Sequence, residues 1–137
     1  MSKLKRYIAY DIIFYVLFLL KIVIESPNGF FYLFSKPMMV LICTALLRIF
    51  INRPRPYEKY SIKPIGDKRQ SGHSFPSIHA SLTLSIALTV IKTGPNMGLL
   101  LFALAFTITI TRLLTGEHYL TDIIASILIA LGIYFIS

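Results

Sequence analysis

The sequence predicts an all-α fold: a polytopic membrane bundle of about five transmembrane helices. Hydrophobic residues make up 55% of the 137-residue chain, and the mean hydropathy is +0.71, which is too apolar for an ordinary soluble domain. Apolar runs approaching the ~20 residues of a membrane span recur between turn signals. The net charge of +8 indicates anionic partners, and because the basic residues lie between apolar runs we expect lipid phosphates rather than nucleic acid.

The amino-terminal part, residues 1–36, is predicted to hold one helix and an aromatic interfacial segment. A basic start precedes an apolar run over residues 7–24. The run lacks the small-residue cleavage site of a signal peptide, so we interpret it as a retained anchor. Residues 26–29 then break the helical pattern, and the aromatic cluster at residues 30–34 suits the headgroup region.

Residues 37–137 are predicted to form one catalytic core with four further apolar segments, bounded by prolines, glycines and polar turns. They cover residues 37–51, 76–92, 97–114 and 118–136. The basic loop over residues 53–75 is the only long connection, and long loops in compact proteins are commonly functional. Two spans separate this loop from the turn at residues 115–117, so both lie on the same side of the membrane and polar residues can converge there.

Pro76-Ser77-Ile78-His79 lies between the basic loop and the third apolar segment. We expect Pro76 at the first helical position, where its missing N–H needs no partner. The amides of Ser77, Ile78 and His79 would then be open donors at the positive end of the helix dipole, which is a site that binds phosphate. The alternative is a capped helix with a surface histidine.

His118 and Asp122 are four residues apart, so on a helix they lie on one face. A carboxylate held against one imidazole nitrogen fixes the tautomer and leaves the other nitrogen as the nucleophile. The alternative is a structural hydrogen-bonded pair.

Arg48 and Arg55 are seven residues apart, which is about two helical turns. Their guanidinium groups match the geometry of phosphate oxygens and stay charged. The alternative for Arg48 is snorkelling to the interface, and Arg53 is interpreted as a solvated or headgroup-binding residue.

Taken together, these stretches resemble the type 2 phosphatidic acid phosphatase superfamily, which includes membrane lipid phosphatases and soluble vanadium haloperoxidases. Its signatures are Lys-x6-Arg-Pro, Pro-Ser-Gly-His and Ser-Arg-x5-His-x3-Asp. They match here, in order, at Arg48-x6-Arg55-Pro56, Pro76-Ser77-Ile78-His79 and Thr111-Arg112-x5-His118-x3-Asp122. Arg48, Ile78 and Thr111 replace Lys, Gly and Ser. Ile78 matters most, because a β-branched residue is strained at positive φ but tolerated in a helix.

The resemblance implies a metal-independent phosphatase without cofactors, with its active site at one membrane face. His118 would attack phosphorus, Asp122 would orient it, and His79 would protonate the leaving oxygen. The phosphoryl oxygens would be held by Arg48, Arg55, Ser77, Arg112 and the amides near Ile78. The family's membrane enzymes have six spans, so an amino-terminal one is missing from our count.

Other interpretations of the same residues stay open at this point. They are a catalytically silent binder of lipid phosphates, a phosphotransferase that uses a second lipid as acceptor, and a metal site formed by His73, His79 and His118. The last has a spacing that fits no common ligand pattern.

Expected substrates are a phospholipid such as phosphatidate or phosphatidylglycerophosphate, an isoprenoid diphosphate such as undecaprenyl diphosphate, or the 1-phosphate of lipid A. We expect a bacterial inner membrane protein. The positive-inside rule favours a cytoplasmic site, whereas the resemblance to bacterial lipid phosphatases implies an extracytoplasmic one, which we adopt.

Overall fold

The computed structural model describes residues 20–21, 27–60 and 71–136, and within these residues the regular structure is entirely helical. The helices are α1 (Pro27–Ile51), α2 (Pro56–Lys59), α3 (Ile78–Ile91), α4 (Pro95–Leu114) and α5 (Leu120–Ile136). The chain divides into two compact units, Met1–Phe34 and Ser35–Ser137. Every contact described below lies within the second unit. The all-α prediction is confirmed.

The number of membrane helices is only partly confirmed. Within the described residues, two helical stretches are long and apolar enough to cross a membrane: the first is Phe31–Lys59, which covers most of α1 and continues through α2, and the second is α4. Helices α3 and α5 are apolar but shorter. The predicted first segment, residues 7–24, lies outside the described residues apart from Leu20 and Lys21. A bundle of five transmembrane helices is therefore not confirmed.

Helix α1 begins earlier than the sequence predicted. We expected a break at residues 26–29 and a new helix from Pro37, but one helix runs from Pro27 through the aromatic cluster and past Pro37 to Ile51. Proline is well suited to a helix start, because its missing N–H has no intrahelical role there. A proline in an apolar helix is also tolerated when its surroundings satisfy the freed backbone group. Prolines therefore marked this helix boundary poorly.

Helix α3 packs against both α4 and α5. Small residues make this close approach possible. At Gly98 in α4, an added Cβ would lie 2.5 Å from the Cα of Ile91 in α3. The two backbones therefore approach too closely there for any side chain.

Two helix starts differ from the prediction in ways that shape the site. Helix α3 begins at Ile78 with Ser77 as its N-cap, so Pro76 precedes the cap instead of opening the helix. Helix α5 begins at Leu120 rather than at His118. The histidine therefore lies in the connection after α4, where Gly116 has a φ of +69°.

Candidate active site

His118 is almost fully buried, with its side chain 2% exposed. Its Nδ1 lies 2.8 Å from the carbonyl oxygen of Ser74. Because a carbonyl only accepts, Nδ1 carries the proton, and in the neutral ring Nε2 holds the lone pair. The nearest carboxylate oxygen, Oδ2 of Asp122, is 3.6 Å from Nδ1, which is longer than a hydrogen bond. We expected the Asp122 carboxylate to accept the Nδ1 proton of His118, but the backbone carbonyl of Ser74 accepts it instead.

Ser74 is itself fixed by the segment before α2. Its amide donates to the carbonyl of Arg53 at 2.9 Å, and its hydroxyl lies 3.3 Å from the carbonyl of Pro54. The residue is completely buried. The orientation of His118 therefore depends on the loop that follows α1.

Asp122 is completely buried and pairs with Arg53. The Nη1 atom of Arg53 donates to Oδ1 of Asp122 at 2.8 Å and to the hydroxyl of Thr121 at 2.7 Å. The guanidinium also lies over the Tyr119 ring, 4.1 Å from its centroid. The other carboxylate oxygen accepts the amide of Tyr119 at 2.9 Å. Interpreting Arg53 as a solvated residue was therefore wrong.

The start of α3 is bonded to α5 through Ser126. The amide of Ser77 donates to the Ser126 hydroxyl at 2.8 Å, and that hydroxyl donates to the carbonyl of Asp122 at 2.6 Å. The Ser77 hydroxyl lies 3.5 Å from the amide of Ala80 as an N-cap. The Ser77 amide is therefore committed to Ser126 and not open as predicted, whereas the first two helical amides, those of Ile78 and His79, have no intrahelical acceptor.

Ile78 is the first residue of α3 and is not among the described residues with positive φ. Its helical conformation carries no strain for a β-branched side chain. The replacement of Gly by Ile therefore adds bulk near the candidate site without distorting the backbone.

Arg55 is buried and held by a short network around Glu58. Its amide donates to Oε2 of Glu58 at 2.8 Å, and its Nε donates to the carbonyl of Gly72 at 3.1 Å. Glu58 also accepts the amide of Gly72 at 3.0 Å. These contacts fix the guanidinium end of Arg55.

The guanidinium groups of Arg55 and Arg112 converge on one carboxylate, that of Glu117. Arg112 Nη1 donates to Oε2 of Glu117, and Nη1 of Arg55 lies 3.9 Å from the same oxygen. Arg112 is on the last turn of α4, whereas Arg55 precedes α2. Residues from two distant signatures thus meet beside His118, and the sequence had not singled out Glu117.

The remaining predicted residues lie close to this cluster. His79 lies near enough to His118, Arg112 and Arg48 for their charges to act on its imidazole. Arg48 is in turn within range of Arg55 and Asp122. The sequence-predicted histidines, arginines and aspartate are therefore brought together at one end of α3.

His73 belongs to the framework of the loop. Its Nδ1 lies 2.9 Å from the carbonyl of Arg48, and its amide donates to the side chain of Asn52 at 3.2 Å. Across the described ranges, no group of three or more His, Cys, Asp or Glu side chains could hold a metal ion. The donor set at this site consists mainly of guanidinium groups, which suit an anion.

The chain belongs to the PAP2 superfamily, whose family model matches residues 29–137. It is 33% identical over 96 residues to a lipid A 4'-phosphatase of Bacteroides thetaiotaomicron, an alignment that covers 64% of this chain and 42% of that protein. The chain therefore spans under half the length of this relative. The crystal structure of Aquifex aeolicus LpxE is similar, with a TM-score of 0.70 and 27% identity over 89% of this chain and 75% of that one. The resemblance found in the three signatures is confirmed at the level of the family.

Proposed function

We propose that this protein is a membrane lipid phosphatase that hydrolyses a phosphomonoester or diphosphate through a phosphohistidine on His118, without a metal ion or cofactor. Membership of the PAP2 superfamily and similarity to a lipid A 4'-phosphatase support a lipid phosphate as substrate. The observation that carries the proposal is that Arg55 and Arg112 converge on one anionic group, the Glu117 carboxylate. The next residue is His118, which is buried and has a fixed tautomer.

His118 is the proposed nucleophile. The bond from Nδ1 to the Ser74 carbonyl leaves the Nε2 lone pair for attack on phosphorus. A bond forms between Nε2 and phosphorus as the bond to the lipid oxygen breaks. The imidazole then carries positive charge, and the buried carboxylate of Asp122, 3.6 Å from Nδ1, stabilises it.

His79 is the proposed general acid for the first step. It gives its proton to the departing lipid oxygen, and in the second step the neutral ring takes a proton from the water that attacks phosphohistidine. Phosphate is released and both histidines return to their starting forms. The position of His79 on the first turn of α3, near His118, supports this assignment. The arginines near His79 disfavour its protonated form in the empty site, and the negative charge of a bound phosphoryl group would offset them.

The phosphoryl oxygens are held by charge and by backbone donors. In phosphoryl transfer the protein contributes mainly positioning and charge stabilisation. We assign these tasks to the guanidinium groups of Arg48, Arg55 and Arg112, to the Ser77 hydroxyl and to the amides of Ile78 and His79.

The experiment measures phosphate release by purified wild type and His118→Ala in detergent, with EDTA present throughout. The substrates are lipid A, phosphatidate, phosphatidylglycerophosphate and undecaprenyl diphosphate. We expect release by wild type, loss in His118→Ala, and a 31P signal of acid-labile phosphohistidine in rapidly quenched wild type. Lys59→Ala is the control, because Lys59 is exposed at the end of α2, has no role in the proposed mechanism and is expected to keep activity.

Three outcomes would contradict parts of this proposal. Release that EDTA stops would show that a metal takes part. Tight lipid binding with no release from any substrate would identify a silent binder. Transfer of the phosphoryl group to a second lipid, with no free phosphate, would identify a phosphotransferase.

We also propose that the site faces the extracytoplasmic side of a bacterial inner membrane. A cysteine replacing Lys63 in a Cys43→Ala background would then react with an impermeant thiol reagent in intact cells. Protection of that cysteine until lysis would place the loop on the cytoplasmic side.

A further inference from the structure

We propose that the Glu117 carboxylate is an internal competitor of the substrate: it occupies the position of a phosphoryl oxygen in the resting site and must leave before substrate binds. This inference rests on the proposed function for the location of the phosphate site. It concerns a residue at an unspecified position of the third signature, directly before His118.

The first support is the shared partners of Glu117. Its Oε2 accepts from Nη1 of Arg112 and lies 3.9 Å from Nη1 of Arg55. Carboxylate and phosphate oxygens satisfy guanidinium donors in the same way. An oxygen that lies between these two arginines therefore uses the donors that a phosphoryl group needs.

The second support is the burial of the proposed nucleophile. The His118 side chain is 2% exposed, so a phosphoryl group reaches it only after a neighbouring group moves. Glu117 directly precedes His118 and is 25% exposed. Its side chain therefore has a path to solvent that the arginine partner Arg55, 6% exposed, lacks.

The third support is the backbone around Glu117. The residue lies between α4 and α5, outside both helices, and follows Gly116 at a φ of +69°. Its amide bonds to the carbonyl of Arg112 at 3.2 Å, which fixes the backbone. The side chain alone can then rotate away from the arginines while His118 and its bond to Ser74 stay in place.

A purely structural ion pair between Glu117 and the arginines makes the opposite prediction. If the carboxylate only aligns the two guanidinium groups, its removal weakens phosphate binding. If it competes with phosphate, its removal strengthens binding, because the arginines no longer exchange one anion for another. The sign of the change distinguishes the two roles.

The test is the affinity of Glu117→Gln and wild type for inorganic phosphate, measured in detergent from the phosphate-dependent rise in melting temperature. We expect about a two- to fivefold lower dissociation constant in Glu117→Gln, the equivalent of one partly exposed ion pair. In a phosphatase assay, KM is expected to fall by a similar factor. Glu58→Gln is the charge-matched control: it removes a carboxylate that bonds the Arg55 amide, and we expect weaker phosphate binding.

Equal or weaker phosphate binding by Glu117→Gln would overturn the inference. If that variant does not fold, Glu117→Asp retains the charge but shortens its reach to Arg112, and it should bind phosphate more tightly than wild type. No gain there would also overturn it. Because phosphate binding is measured without turnover, tighter binding with no activity on any lipid would leave the inference standing while the proposed function fails.

Discussion

Replacing Arg53 by alanine should destabilise the protein substantially, because Asp122 would lose its cation while staying buried. The Asp122 side chain is 0% exposed and the Arg53 side chain is 35% exposed. A hydrogen bond between charged groups contributes about 1.5–3 kcal/mol. The contact of the guanidinium with the Tyr119 ring at 4.1 Å adds about 0.5–1 kcal/mol.

Water can reach part of the space left by Arg53, since about a third of the side chain is already exposed. We therefore expect a net loss of about 2 kcal/mol in the free energy of unfolding, below the roughly 3–5 kcal/mol measured when a fully buried pair loses one partner. For a chain of this length that corresponds to a fall of about 8 °C in melting temperature. Arg53→Lys should lose about half as much, because one ammonium cannot reproduce the planar fork of donors.

The assay is thermal unfolding in detergent, followed by the reaction of a fluorogenic maleimide with Cys43, the only cysteine in the chain. Lys59→Ala is the control, because this exposed cation lies 5.7 Å from the Tyr60 ring, and its loss should change stability by less than about 0.5 kcal/mol. A melting temperature for Arg53→Ala within 2 °C of wild type, set as about a quarter of the expected shift, would refute the reasoning and show that Asp122 is neutral or otherwise compensated.

Two further predictions concern the packing that supports the site, and both use melting temperature as the measurement. Ser126→Ala should lower the free energy of unfolding by about 1–3 kcal/mol, because the buried Ser77 amide loses its hydroxyl acceptor at 2.8 Å. Ser81→Ala loses only a bond to the Ile78 carbonyl at 3.1 Å and should lower it less. Equal losses in the two variants would contradict a linking role for Ser126. Gly98→Ala should cost about 1–3 kcal/mol through overpacking, since its Cβ would lie 2.5 Å from the Ile91 Cα. Gly132→Ala is the control: nothing described lies within 4 Å of its added Cβ, so its free energy of unfolding should be unchanged or rise by up to about 1 kcal/mol. If Gly98→Ala is as stable as wild type, α3 and α4 can separate at little cost.

Helix ends were predicted less well than helix existence. Apolar composition identified each of the four long helices, whereas prolines suggested starts at Pro37 and Pro76 that the structure does not have. Proline restricts its own φ and the preceding residue, but surrounding contacts decide whether a helix continues through it. Two residues of difference at α5 were enough to move His118 off the helix and change the expected partner of its Nδ1.

The sequence by itself determined the family and supplied the site residues that we propose. The order and spacing of three short motifs belong to the sequence itself and need no structure. They identified the PAP2 superfamily, whose family model matches the chain. The long apolar runs likewise predicted the helices that form the regular structure of the described residues, because a run of about 20 apolar residues suits a membrane-spanning helix and is longer than a spanning β-strand.

Only the tertiary structure decided which groups contact one another within that set. In the structure, the Ser74 carbonyl accepts the Nδ1 proton of His118 and Arg53 pairs with the carboxylate of Asp122. Arg55 and Arg112 converge on Glu117. The physical reason is that these contacts mostly join residues far apart in the chain. A given donor can bond to any of several chemically equivalent acceptors in the chain. Only the packing of the helices and loops determines which acceptor lies close enough to pair with it.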